Sequence, residues 1–301
     1  MLPLITLLTI VSSASARFID ITARDGYPVE SCDTSSLPFT CGSSSSSNTC
    51  CFEKDGLMLQ TQFWDYDTSV TKRSLEEREV LERQTREVHG EIGVSKRAGT
   101  PSSSMDTDKV FTIHGLWSDK CDGSYDQYCQ SNLEIPDGYN VKNLISSTFN
   151  KPDLYDLMDT YWLSNSGSNE ELWSHEYNKH GTCMNTISPG CFTDSYQKYE
   201  SPVLFWQKVT EIWDGLNTYD FLASAGITPS ATKQYSFSDI QDALSSGHDG
   251  KEVHVGCDSD GAIKEIWYFY LLQGSVFTGN YQAVDSSTAN KCPDQVWYYP
   301  K

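Results

Sequence analysis

Residues 172–183 read Leu172-Trp173-Ser174-His175-Glu176-Tyr177-Asn178-Lys179-His180-Gly181-Thr182-Cys183. From His175 onward this stretch holds two histidines, a carboxylate, an ammonium and a cysteine, a density of titratable groups that packing alone does not call for. The first comparison to make is with zinc. A helical zinc-protease site spaces its histidines four residues apart, on one face of the helix. Here the second histidine comes five residues on, and at about 100° per residue the two rings point about 140° apart. Lys179, a poor ligand while protonated, stands in the fourth of those intervening positions. The stretch therefore points to acid–base chemistry rather than to a metal.

The rest of the chain sets the compartment. Its 301 residues suit one large domain or two small ones. The first sixteen, MLPLITLLTIVSSASA, form an apolar run ending in Ala14-Ser15-Ala16, the small-x-small pattern of a leader cleavage site, though without a basic residue ahead of it. Residues 17–31 read as a pro-segment or ordered tail. The apolar run is too short for a membrane span, and no later stretch reaches about 20 apolar residues. A secreted protein is expected, with a vacuole or lysosome-like compartment as the alternative. Ten cysteines fit such a compartment, since disulfides in exported domains each contribute about 2–5 kcal/mol. Spacing alone does not fix their pairing, although the adjacent Cys50 and Cys51 should reach different partners. Asn48-Thr49-Cys50 is the nearest approach to a glycosylation triplet, so heavy N-glycosylation is not expected.

A net charge of −19, from 41 acidic and 22 basic residues, argues against tight binding of a polyanion. It leaves room for a nuclease that turns over quickly at low pH, where partly protonated carboxylates repel less.

Two runs read as strands, Leu57 to Trp64 and Val110 to Trp117, each rich in β-formers. Helices are expected over Asn140 to Ser147, Leu154 to Tyr161, Val203 to Leu216 and Asp239 to Leu244. Glu252 to Cys257 and Ala262 to Leu272 read as strands joined by the turn Asp258-Ser259-Asp260-Gly261. Helices and strands mix without βαβ regularity, which favours an α+β fold. Ser74 to Val88 opens with a capping-box pattern but lacks an apolar stripe, so a solvated or disordered segment is expected there.

FTIHGLW at residues 111–117 and HEYNKHGTC at 175–183 together resemble the paired active-site segments of the ribonuclease T2 family. The likeness runs from about Cys32 to Cys292 and is most similar to fungal secreted members. Two departures are Ser118, where many members have proline, and an insertion at about 70–105. The resemblance implies a disulfide-stapled α+β fold with a central antiparallel sheet flanked by helices, in a catalytic domain over 32–301. It also implies cleavage of single-stranded RNA with low base specificity through 2′,3′-cyclic phosphates, an acidic optimum and neither metal nor cofactor. The implied disulfides are Cys32–Cys51, Cys41–Cys121, Cys50–Cys191, Cys129–Cys183 and Cys257–Cys292.

The chemistry also follows from the residues. Transesterification of RNA needs a base for the 2′-hydroxyl, an acid for the departing 5′-oxygen and a cation for the extra charge on phosphorus. Two histidines suit the proton steps, because a pKa near 6.5 lets one ring be neutral while the other is charged. By resemblance His180 is the base and His114 the acid, a direction the residues alone leave open. His175 is expected to hold the phosphate, with Lys179 and Glu176 stabilising the transition state. Spacing of i,i+4 on a helix makes Glu176 the expected partner of His180. Trp117 and Tyr125 are the expected stacking surfaces for a base, Asp119 the reader of its edge, and Gln62 a candidate for a second base site. His89, His248 and His254 are read as structural.

Two other function classes compete: a binding or cytotoxic protein that keeps the scaffold, and a metal-dependent hydrolase. The intact histidine pair weighs against the first and its spacing against the second. No obligate protein partner is expected and a monomer suffices. Lys72-Arg73 and Lys96-Arg97 bracket the insertion, and their excision of residues 74–97 is as well supported as their being plain surface charges.

Overall fold

The computed structural model describes residues 26–66 and 107–301. The leader, residues 17–25, the segment Ser74 to Val88, His89 and both dibasic pairs lie outside the described residues. Residues 26–31 are tied into the fold: Tyr27 stacks on Phe277 at 4.8 Å, and Val29 bridges to Phe192. No helix among the described residues is long and apolar enough to cross a membrane.

β1 (Leu57–Phe63) and β2 (Thr112–Asp119) form where the two β-rich runs predicted them. The short helical turn α1 (Val141–Asn143) runs into a π-turn at Leu144–Thr148, and α2 (Pro152–Tyr161) and α3 (Asn169–Lys179) follow. α4 (Glu200–Asp214) is the long core helix, and α5 (Thr218–Ser224) a short one that no clear apolar periodicity announced. β3 (Gln234–Ser236), α6 (Phe237–Ser246), β4 (His254–Cys257) and β5 (Ile263–Gln273) come next, then β6 (Asn280–Val284) and β7 (Gln295–Trp297). The main sheet is antiparallel in the order β2-β1-β5-β4, with β6 pairing the far half of β5; β3 and β7 form a separate pair. This is the expected α+β architecture. β3, β6 and β7 were not predicted, being short or polar at alternate positions.

Helices cover one face of the sheet. Met58, Ile113 and Leu116 point into that core with Trp162, Trp173, Trp206 and Phe205. Buried indoles need partners for their N–H groups, and here they form a relay. Trp206 on α4 donates to the Trp173 carbonyl (2.9 Å), Trp173 on α3 to the Trp162 carbonyl (2.8 Å), and Trp162 to the His114 carbonyl (2.9 Å). The relay fixes the helix layer to β2 at His114. The other face carries a small cluster of Leu57, Leu59 and Phe269, against which Trp117 and Trp267 pack.

All ten cysteines are paired as the resemblance implied: Cys32–Cys51, Cys41–Cys121, Cys50–Cys191, Cys129–Cys183 and Cys257–Cys292. Cys50 and Cys51 do reach different partners.

Candidate active site

The site begins with a fault in β2. Thr61 pairs with Gly115 but the next residue, Gln62, pairs with Ile113, so His114 is an extra residue in the strand. Strict alternation would place His114 on the same face as Leu116, in the helix-covered core, and opposite Trp117. The bulge resets the alternation: Ile113 and Leu116 share the core, and the His114 ring stands 4.9 Å from the Trp117 ring. Phe63, the last residue of β1, stacks on His114 at 3.9 Å and fixes its plane.

α3 supplies the second half. Ser168 and Glu171 cap its start reciprocally, each side chain meeting the other's backbone N–H, and Trp173 and Tyr177 anchor it in the core. Regular helix ends at Lys179. His180 is the cap residue, and Gly181 follows because a methyl there would meet the Tyr177 ring at 2.6 Å. This exit turns the buried His180 ring onto Trp117, stacked at 5.0 Å and 18°. Both imidazoles thus border one indole, His114 edge-on and His180 stacked.

Glu176 ties the halves together, though not as its spacing predicted. Its carboxylate accepts a hydrogen bond from Trp117 Nε1 (2.8 Å) and lies 3.6 Å from His114 Nε2. Both ring nitrogens of His180 are buried without a hydrogen-bond partner. The expected Glu176–His180 pair is therefore corrected to Glu176 with His114 and Trp117. The i,i+4 rule assumes a continuous helix, and His180 sits where the helix ends. Gly115 makes the contact sterically feasible, since a methyl on it would fall on the Glu176 carboxylate.

Charge and burial set the protonation states. Burial, then the charges of Lys179, His175 and Lys264, pushes His114 down to about 3. Burial, then Lys179 and the other two histidines, does the same to His180. Burial pushes the Glu176 carboxyl up to about 7, against the Trp117 hydrogen bond and Lys179. The Lys179 ammonium has no ion-pair partner among the described residues. His175 is exposed, with Nδ1 3.2 Å from the Tyr128 hydroxyl.

The remaining predicted residues divide. Tyr125 is 53% exposed and its ring lies 6.3 Å from that of His180, an open aromatic surface beside the cluster. Trp117 has one face taken by His180, its N–H by Glu176 and an edge by Trp267 (5.2 Å). Asp119 ends β2 almost buried, with its carboxyl raised to about 7 by burial and then by Asp55. Gln62 is fully buried on the opposite, helix-covered face, where Thr218 donates to its Oε1 (2.6 Å) and its Nε2 reaches the Leu216 carbonyl (3.4 Å). A second base site at Gln62 is thus corrected: it is a core hydrogen-bonding residue.

Phe63, Tyr128 and Trp267 also belong to the neighbourhood and were not singled out from the sequence. Phe63 closes a β-rich run and Tyr128 immediately precedes Cys129 of the Cys129–Cys183 disulfide, but long-range contacts like these leave no local signal. His248 is buried 3.1 Å from the Phe269 carbonyl, and His254 is buried against the Trp267 ring at 4.4 Å.

Comparison with known proteins agrees with this geometry. Residues 55–292 match the model of the ribonuclease T2 family. The chain is 37% identical over 268 residues to ribonuclease T2 of Aspergillus oryzae, covering 88% of this chain and 82% of that one. It is 36% identical over 300 residues to ribonuclease T2-like 1-A of Candida albicans, covering 98% of this chain but 64% of that longer one. The crystal structure of Actibind, described as a T2 ribonuclease, superposes with a TM-score of 0.72 at 35% identity, covering 91% of this chain and 99% of that one. Family match, sequence identity and the paired segments at 111–117 and 175–183 agree, and the chain belongs to the ribonuclease T2 family.

Proposed function

We propose that this chain is an exported endoribonuclease that cleaves single-stranded RNA by metal-independent transesterification, through 2′,3′-cyclic phosphates and with low base specificity. The observation that carries the reading is that His114 and His180 both pack on Trp117, at 4.9 and 5.0 Å. Two proton carriers held against one rigid indole, one edge-on and one stacked, can serve the attacking and departing oxygens of one phosphate.

In this reading His180 takes the 2′-hydroxyl proton and His114 protonates the 5′-oxygen. Each positioned transfer contributes about 10²–10⁴ in rate. Glu176 favours the charged form of His114 when ionised, because an opposite charge 3.6 Å away stabilises the imidazolium. Lys179 neutralises phosphoryl oxygens and His175 holds the phosphate from the exposed side. Tyr125 and the free part of Trp117 stack on a base whose edge Asp119 reads. Burial pushes both motif histidines down. One of them must gain a proton to act as acid, so an acidic optimum follows. The five disulfides and the apolar leader support export, to the medium or to a vacuole-like compartment. No protein partner is needed for the site, which one chain completes.

Incubation with homopolymer RNA at about pH 5, with and without EDTA, tests the reading. Cleavage leaving 2′,3′-cyclic ends in both samples is expected. No cleavage defeats it, and EDTA-sensitive cleavage replaces it with a metal-dependent hydrolase.

A further inference from the structure

Beyond the histidine cluster lies a groove of about 420 Å³ between α3 and the segment 128–140. Its lining includes Ser174 and His175 from the helix and Tyr128, Glu134, Asp137 and Tyr139 from the opposite wall. Among the described residues the exposed large hydrophobic side chains are Tyr125, Tyr128 and Tyr139, at 53%, 44% and 37%. All three fall within residues 125–139, beside the site. Tyr125 borders the cluster through His180, while the other two line the groove.

This wall is held in place before any ligand arrives. Tyr128 adopts a left-handed φ of 53°, a conformation bulky residues avoid, and its N–H donates to the Lys179 carbonyl (3.0 Å) at the end of α3. The Asn178 side chain donates to the Ile135 carbonyl and accepts from the Ile135 N–H, at 2.9 and 2.8 Å. Cys129–Cys183 closes the loop, and Tyr199 braces Tyr139 edge-on at 4.9 Å. The groove is continuous with the site through the Tyr128 hydroxyl and His175 Nδ1.

We propose that this groove is a further nucleotide subsite, holding the base of a residue that flanks the two at the scissile bond. The proposal rests on the ribonuclease reading above. Exposed, pre-positioned tyrosines offer stacking faces that every base can use. The carboxylates fit a base better than a phosphate. Glu170 is held by the Val141 N–H and the Tyr155 hydroxyl, and Glu171 by the Ser168 N–H. Glu134 and Asp137 remain as acceptors for the exocyclic amino groups of adenine or cytosine. Base enters the groove and phosphates stay outside, towards Lys179 and His175.

The test compares kcat/KM for a dinucleoside monophosphate with that for a tetranucleotide carrying the same central linkage and adenosine at both ends. The wild type is expected to prefer the longer substrate about tenfold. Tyr139→Ala removes one wall and Ser174→Trp fills the groove from the other, and each should bring the ratio to within about twofold of one. The ratio corrects itself for any fraction of unfolded variant. A wild-type ratio near one overturns the subsite and leaves the ribonuclease reading intact, as do variants that keep the wild-type ratio. A wild type that cleaves neither substrate overturns both. A ratio near one together with spermine raising the thermal midpoint of the wild type but not of Tyr139→Ala makes the groove a polycation site, and again overturns the proposal.

Discussion

Two buried glutamates, Glu53 and Glu176, have their carboxyls raised to about 7 by burial, yet they belong to different kinds of region. Glu53 accepts from the Asn185 N–H (3.0 Å), the Thr186 N–H (3.1 Å) and the Thr186 hydroxyl (2.8 Å), next to the Cys50–Cys191 staple. Its neighbours satisfy it. Among the described residues Glu176 accepts one side-chain hydrogen bond, from Trp117, and in the same cluster His114 Nδ1 and both His180 ring nitrogens are buried without a hydrogen-bond partner. Leaving a buried polar atom unmet costs about 1–3 kcal/mol. One region uses its polar groups to hold the fold; in the proposed reading the other leaves them for the RNA.

That contrast can be broken most forcefully at the histidines. His180→Ala and His114→Ala should each lower RNA cleavage by about 10²–10⁴-fold, far more than the ring packing lost by each would account for. A steady-state assay beside a urea melt separates the two effects. Glu53→Ala should do the reverse. It orphans three donors and should lower stability by about 3 kcal/mol or more, with the activity per folded molecule retained. Equal effects of the two substitutions on activity would erase the distinction.

Glu176→Gln sharpens the comparison within the site. Removing the charge beside His114 should reduce kcat by about tenfold, and urea melts at pH 7.5 should show a stability change under about 1 kcal/mol, because a buried carboxylate is replaced by a neutral group.

The pH dependence of stability follows from the directions of the shifts. Unfolded His titrates near 6.5, so between that value and the folded values of about 3 for His114 and lower still for His180 the unfolded chain binds more protons. Their contribution is present above 6.5 and is lost as pH falls. Glu53 and Glu176 have the opposite sign: folded values of about 7 exceed the ordinary carboxyl range, so their contribution is full at low pH and is lost as pH rises towards 7. Melts at pH 4 to 7 should therefore show His180→Ala losing less stability on acidification than the wild type. A phosphate anion in the site should reverse the histidine shifts. Calorimetry of a nucleotide inhibitor at pH 5.5, in buffers of differing ionisation enthalpy, should register proton uptake on binding.

Asp119 supplies the smallest expected effect. Its carboxyl titrates at about 7, so it can donate as well as accept under acid conditions. Asp119→Asn should flatten the pH dependence of base preference by about two- to fivefold without altering the linkage chemistry, as read from cleavage of the four homopolymers.

Much of this was legible in the residues. The alternation at Leu57 to Trp64 and the run at Val110 to Trp117 located β1 and β2 closely, whereas the helix Asn169–Lys179 that carries His175 was not among the expected ones. The paired segments indicated the fold and all five disulfides. What escaped were effects of register and of chain ends. The bulge that moves His114 to the face of Trp117 depends on pairing with β1, which no local pattern encodes. Glu176 turned to His114 because the helix stops before His180. Gln62 lies in the helix-covered core because period-two alternation sends it to the face opposite Trp117. Tyr128 became visible only once the Cys129–Cys183 loop was closed against α3.

The most direct test of the central claim uses one oligonucleotide with a single ribose in an otherwise 2′-deoxy chain, incubated with EDTA at about pH 5. One cut is expected, immediately 3′ of the ribose, leaving a 2′,3′-cyclic phosphate, with His180→Ala losing that product. Cleavage at a 2′-deoxy linkage, or a product without the cyclic end from the outset, would contradict it.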